Sequence, residues 1–163
     1  MRRLPVLAAA LALAAASGAL AAPAAVSVTI APELQQRFDK TYGVREAQLL
    51  TGDLKASVRR ALARTGAHSG ARIELSIIDV KPNRPTFKQL GDTPGLSLQS
   101  FGIGGAAIEG KVVAANGTEQ PIRYHWYETD IREAYGNWTW TDAEYAFDRL
   151  ARRLARGDQV AWR

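Results

Sequence analysis

Asn116-Gly117 sits between two alternating runs, residues 106–115 and 118–127. Both residues tolerate positive φ, so the pair predicts a hairpin. Its register is constrained further by side-chain size. Ile108, Gly110 and Val112 share one face, as do Ile122, Tyr124 and Trp126. A two-residue loop would oppose Ile122 to Lys111 and Tyr124 to Glu109. A three-residue loop with a bulge at Gly117 instead opposes Tyr124 to Ile108, Ile122 to Gly110 and Trp126 to Ala106. Only that register gathers the apolar set, because a one-residue slip sends it to water. Pro121 cannot donate a ladder bond, which predicts an edge or a bulge at that end. Glu109, Lys111, Arg123, His125 and Tyr127 fall on the opposite, polar face.

The remaining elements follow from the same patterning. Residues 26–30 alternate and are β-branched, a strand ended by Pro32. Leu34 and Phe38 allow a short helix before Gly43. Residues 44–65 carry Ala47, Leu50, Leu54, Val58, Ala61 and Leu62 on one stripe, the main helix, with Gly66 as its stop and Gly52 as a weak point. In residues 72–81, Ile73, Leu75 and Ile77 alternate but Ile78 and Val80 break the phase. That predicts either cover on both faces or a bulge. Thr141-Asp142-Ala143-Glu144 has the form of a capping box with Thr141 as N-cap. Trp140 and Tyr145 are spaced as a staple, ahead of a stripe of Ala143, Phe147, Leu150, Ala151 and Leu154. Gly157 closes that helix, and Trp162 is a candidate to pin the tail. The expected fold is α+β: a mostly antiparallel sheet of about four strands with two helices packed on one face.

Residues 82–105 are the least regular part, with three prolines and five glycines. Loops of this length inside a compact domain are often functional. Phe87, Leu90, Leu96, Leu98 and Phe101 are expected to tuck the segment over the sheet as an ordered flap, with residues 97–101 a candidate short strand. Asn83, Arg84 and Thr86 would then be polar recognition groups on a stiffened loop, or Arg84 would tie the loop to Asp79 or Asp92. Residues 101–107 show dinucleotide-type glycine spacing but open a strand rather than a helix, so they predict a close backbone approach. Tyr135 and Trp138, in a later loop, are the aromatic residues without an assigned packing role and complete the candidate binding set. His125 with Glu128 or Asp130 is the one candidate acid–base arrangement. No metal site or cofactor is expected: the chain has two histidines and no cysteine.

Location is the sharpest functional expectation. Arg2 and Arg3, a run of apolar residues over 4–16 and Ala19-Leu20-Ala21 have the form of a secretory signal peptide cleaved after residue 21. Residues 22–163 would be a single domain, periplasmic or secreted, with no permanent membrane anchor after cleavage. The formal charge of +5 falls to +3 once Arg2 and Arg3 are lost, so no nucleic-acid partner is implied.

Three stretches, Arg37-Phe38-Asp39 with Tyr42-Gly43-Val44-Arg45-Glu46, Lys81-Pro82-Asn83-Arg84-Pro85-Thr86, and Ser100-Phe101-Gly102-Ile103-Gly104-Gly105-Ala106, resemble motifs of uncharacterised exported proteobacterial proteins. The order of elements resembles the small envelope domains of the CsgG-like and TolB amino-terminal-like groups. The resemblance implies an envelope location, and no catalytic residue can be carried over from it. The sequence therefore favours a non-enzymatic periplasmic binding or accessory protein, with a small ligand or an envelope protein as partner. The alternatives are a small hydrolase using His125 with Glu128 or Asp130, and a subunit of an envelope assembly.

Overall fold

The computed structural model describes residues 24–160. The expected signal peptide and Trp162 lie outside the described residues. Strand β1 (Ala25–Ile30) leads into a short helix α1 (Pro32–Arg37), a π-helical turn (Phe38–Tyr42) and the long helix α2 (Val44–Thr65). Strand β2 (Arg72–Lys81) is followed by a short helix α3 (Phe87–Asp92), strands β3 (Gly105–Val113) and β4 (Glu119–Tyr127), and helix α4 (Thr141–Ala155). Spatial order is β1-β2-β3-β4, with β1 and β2 parallel and the other two pairings antiparallel. The fold is α+β, as expected, but with four α-helices where the sequence suggested two. α1 and α3 are each six residues long. α1 falls where Leu34 and Phe38 allowed a short helix, whereas α3 carries too few apolar repeats to be read from periodicity.

One core explains the layering. Ile73, Leu75 and Ile77 of β2, Ile108 and Val112 of β3, and Ile122 and Tyr124 of β4 are buried together with Leu50, Leu54 and Val58 of α2 and Phe147, Leu150 and Leu154 of α4. Both long helices therefore cover the same face of the sheet. The other face carries Glu74, Glu109, Lys111 and Arg123, with ion pairs Lys111–Glu119 at 2.7 Å and Arg72–Glu74 at 2.6 Å.

The hairpin adopts the bulged register: Ala106 opposes Trp126, Ile108 opposes Tyr124 and Gly110 opposes Ile122. The Ala114 N–H donates to the Thr118 carbonyl and the Gly117 N–H to the Ala114 carbonyl, each at 2.9 Å, with Gly117 at φ 83°. Pro121 lies on the edge strand β4. Arg123, of the same parity, points its N–H outward to the Val160 carbonyl at 2.7 Å, so proline at 121 forfeits no bond to β3. In β2 the phase break is a bulge: pairing passes from Ile77↔Ile108 to Asp79↔Ala107, Ile78 is the extra residue, and Val80 returns to the core.

Three local expectations are corrected. Residues 97–101 form a turn, not a strand. Thr141 does not cap α4: Trp140 occupies the cap position without a side-chain bond, and the Thr141 hydroxyl accepts the Trp138 N–H at 2.9 Å. Tyr145 lies 6.4 Å from the Trp126 ring rather than stapling to Trp140. Asn83 takes over the capping role, as described below.

Candidate functional site

The segment between β2 and β3 is held by polar groups. Asn83 is buried, and its Nδ2 donates to Asp142 Oδ2 at 2.5 Å and to the Gly102 carbonyl at 3.0 Å. Its Oδ1 accepts the Asp142 N–H at 2.9 Å, so a side chain 59 residues away satisfies one of the open donors at the start of α4. Asp142 is also buried. Its carboxylate accepts further from Gly104 N–H and Asn137 Nδ2, both at 2.8 Å. Three donors and the positive end of α4 make a charged group tenable there.

Gly104 and Gly105 give these approaches room. A Cβ on Gly104 would stand 2.7 Å from the Lys81 carbonyl, and one on Gly105, at φ 146°, would overlap the Trp126 carbonyl. The glycine run is thus a close backbone approach, as its position before a strand implied.

Arg84 donates to three carbonyls: Asn137 at 2.5 Å, Tyr135 at 2.6 Å and Leu98 at 2.7 Å. The expected carboxylate partners Asp79 and Asp92 are engaged elsewhere, by Arg37 and Lys88. Thr86 is buried and caps α3 reciprocally with Gln89. The flap therefore lies across the starting ends of α2 and α4 rather than over the open sheet. Apolar tucking is not what holds it, since Phe87 is 81% exposed and Leu98 60%.

Those exposed side chains surround a cleft of about 680 Å³. One wall is Glu46 and Leu49 of α2. The flap supplies Arg84, Pro85, Thr86, Phe87 and Leu98. The loop before α4 supplies Gly136 to Trp140, and α4 itself Glu144. Trp138 is 79% exposed and Leu49 49%. Four exposed apolar side chains around one concavity form a patch of the kind that marks an interaction site.

Of the five residues expected to bind, Arg84, Thr86 and Trp138 line this cleft. Asn83 is buried in the Asp142 clasp, and Tyr135, exposed outside the cleft, packs edge-on to Phe101 at 5.6 Å. Leu49 and the two glutamates were not anticipated. Leu49 carried a readable signal: it is a leucine off the buried stripe of α2.

Carboxylates set the charge of the cleft. Glu46 Oε2 accepts the indole N–H of Trp140 at 2.6 Å. Glu144, exposed at the start of α4, is raised above the usual carboxylate range, first by partial withdrawal from water and then by the nearby charges of Asp53 and Asp148. Burial raises Asp53 as well, against the pull of Arg60.

His125 is exposed on β4, opposite Ala107 and 6.4 Å from the Tyr127 ring. Glu128 accepts the N–H groups of Thr129 and Asp130, and Asp130 is paired with Arg132 at 2.5 Å, which holds its carboxyl below the ordinary range. None of the three lines the 680 Å³ cleft. Among the described residues no group of three or more His, Asp or Glu could hold a metal ion. None of the described helices is long and apolar enough to cross a membrane.

No family model matches the chain, and no curated protein does. The chain is similar to solved structures that include two lipoproteins. One is a minor lipoprotein from Acinetobacter baumannii, 11% identical, covering 82% of this chain and 90% of its own, with a TM-score of 0.32. The other is a candidate lipoprotein from Caulobacter crescentus CB15, 15% identical, covering 81% and 82%, with a TM-score of 0.29. Neither likeness reaches the level at which a shared fold is demonstrated.

Proposed function

We propose that this chain is a non-enzymatic binding or accessory protein of the bacterial cell envelope. On this reading it is exported by residues 1–21 and binds through the cleft between the flap and the starts of α2 and α4. The observation that carries the binding site is the convergence of Leu49, Phe87, Leu98 and Trp138, all exposed, on one 680 Å³ concavity. Leaving so much apolar surface in water forgoes burial free energy, roughly 1.5–3 kcal/mol for each side chain fully covered. An occupant would recover it. Arg84, Thr86 and Asn83 then serve the site as the frame that holds the flap in position, and Trp138 makes contact.

The export reading rests on the signal-type sequence at residues 2–21. Fractionation of the native host tests it: the protein is expected in the periplasmic fraction, shortened by 21 residues, and full-length protein in the cytoplasm would refute it. The cleft is tested by capture from periplasmic extract with wild-type protein and a Phe87→Ala/Trp138→Ala variant. Both should fold alike, because both side chains are exposed, and only the wild type should retain a ligand or partner. Equal capture by the two would place binding elsewhere.

A further inference from the structure

We propose that the cleft takes a small organic cation, an alkylammonium group carried on an apolar or aromatic stem. This rests on the reading of the cleft as the binding site and adds the class of ligand. The argument is charge complementarity. Three charged side chains line the concavity: Glu46, Glu144 and Arg84. The Arg84 guanidinium is committed to three carbonyls and stands 5.9 Å from the Phe101 ring, so its charge is already solvated by protein dipoles. Glu46 receives only the neutral indole N–H of Trp140. The Glu144 carboxylate, exposed to solvent, has no hydrogen bond or ion pair among the described residues, and Asp53 and Asp148 add their field to it. Arg60 on α2 donates to Ser57 at 3.0 Å and acts on Asp53 rather than on Glu144.

The outcome is two carboxylates without a cation, beside a 79%-exposed indole at Trp138. An ammonium would neutralise the carboxylates, and the face of an indole attracts cations. A stem of a few carbons or one ring would cover Leu49, Phe87 and Leu98. A volume of 680 Å³ lies within the roughly 300–1,000 Å³ of small-molecule sites, which favours a free amine over a protein surface.

Calorimetric titration with three probes of one shape, 2-phenylethylamine, 2-phenylethanol and 3-phenylpropanoate, tests the assignment. The amine should bind about five- to tenfold more tightly than the alcohol, and the acid more weakly than either. A Glu46→Gln/Glu144→Gln variant keeps the acceptor for Trp140 and should bring amine and alcohol to equal affinity while leaving the alcohol unchanged. Raising the salt concentration should weaken only the amine. Equal binding of all three probes would overturn the cation assignment and leave the cleft reading in place. Tightest binding of the acid would overturn it in favour of Arg84. Failure of all three, with the intrinsic tryptophan fluorescence unmoved, would remove both readings. Tighter binding of a lysine-rich decapeptide than of the amine would overturn the assignment to a small molecule.

Discussion

Asn83 and Asp142 hold each other by two opposed hydrogen bonds: the Asn83 amide donates to the Asp142 carboxylate at 2.5 Å, and the Asp142 backbone N–H donates back to Asn83 Oδ1 at 2.9 Å. One pair thus fixes the entry of the flap to the first turn of α4. Both residues are buried, so removing one strands the other. Asp142→Ala leaves Asn83 Nδ2 with one acceptor, and Gly104 N–H and Asn137 Nδ2 without the carboxylate. Urea denaturation is expected to show a loss of about 2–4 kcal/mol for Asp142→Ala. A loss below the effect of an ordinary surface substitution would show that the clasp is not what holds the flap.

The glycines should respond in opposite directions. Gly105→Ala places a Cβ against the Trp126 carbonyl at a φ of 146°, and nothing backbone-bound can give way. It is expected to abolish or severely lower stability. Gly52 lies in α2 with no atom within 4 Å of its would-be Cβ. Gly52→Ala should therefore stabilise by about 0.5–1 kcal/mol through helix propensity. Thermal melts of the two variants beside wild type check both, and a destabilised Gly52→Ala would mean that an unseen contact needs the bare backbone.

Much of the fold was legible because it is periodic. The parity of Ile108 and Tyr124 set the hairpin register, Gly66 ended α2 at the expected residue, and Ile78 and Val80 betrayed the bulge in β2. The site was not legible in the same way. Polar loop residues carry no period, and nothing in the chain announces that Asn83 meets Asp142. Thr141 illustrates the trap: its local capping box was complete in sequence, yet a distant amide supplied the cap and freed its hydroxyl for Trp138. Apolar residues in a loop were equally ambiguous. Phe87 and Leu98 read as anchors, whereas they face solvent around the cleft.

Arg84 should prove to be a positioning residue with its effect confined to the flap. Its guanidinium joins Leu98 on one side of the cleft to Tyr135 and Asn137 on the other. Lysine cannot span three carbonyls with one ammonium group. Both Arg84→Lys and Arg84→Ala are expected to speed amide exchange over residues 96–102, with local opening of that segment easier by roughly 1–3 kcal/mol in the alanine variant. The Leu62-to-Gly66 bond at the end of α2 should keep its protection. Uniform acceleration across the chain would instead make Arg84 part of the global fold.

Stability should depend on pH through Glu144 in a sense opposite to that of a salt-bridged acid. Its carboxyl is raised in the folded protein, by withdrawal from water and by Asp53 and Asp148, so the folded state holds that proton more tightly than the unfolded chain does. The resulting stabilisation is fully present below the carboxyl's unfolded value. It fades as pH rises through the folded one, and its size is modest because the side chain is exposed to solvent. Glu144→Gln removes that charge and keeps the shape. Its urea midpoint should therefore exceed that of wild type at pH 7, and the difference should shrink as the pH falls below the ordinary glutamate range. Asp53 is raised for the same first reason, so Asp53→Asn should shift in the same direction. A wild-type midpoint equal to or above that of Glu144→Gln at pH 7 would show that a cation within the protein already serves this carboxylate, and an organic ammonium would gain nothing from it.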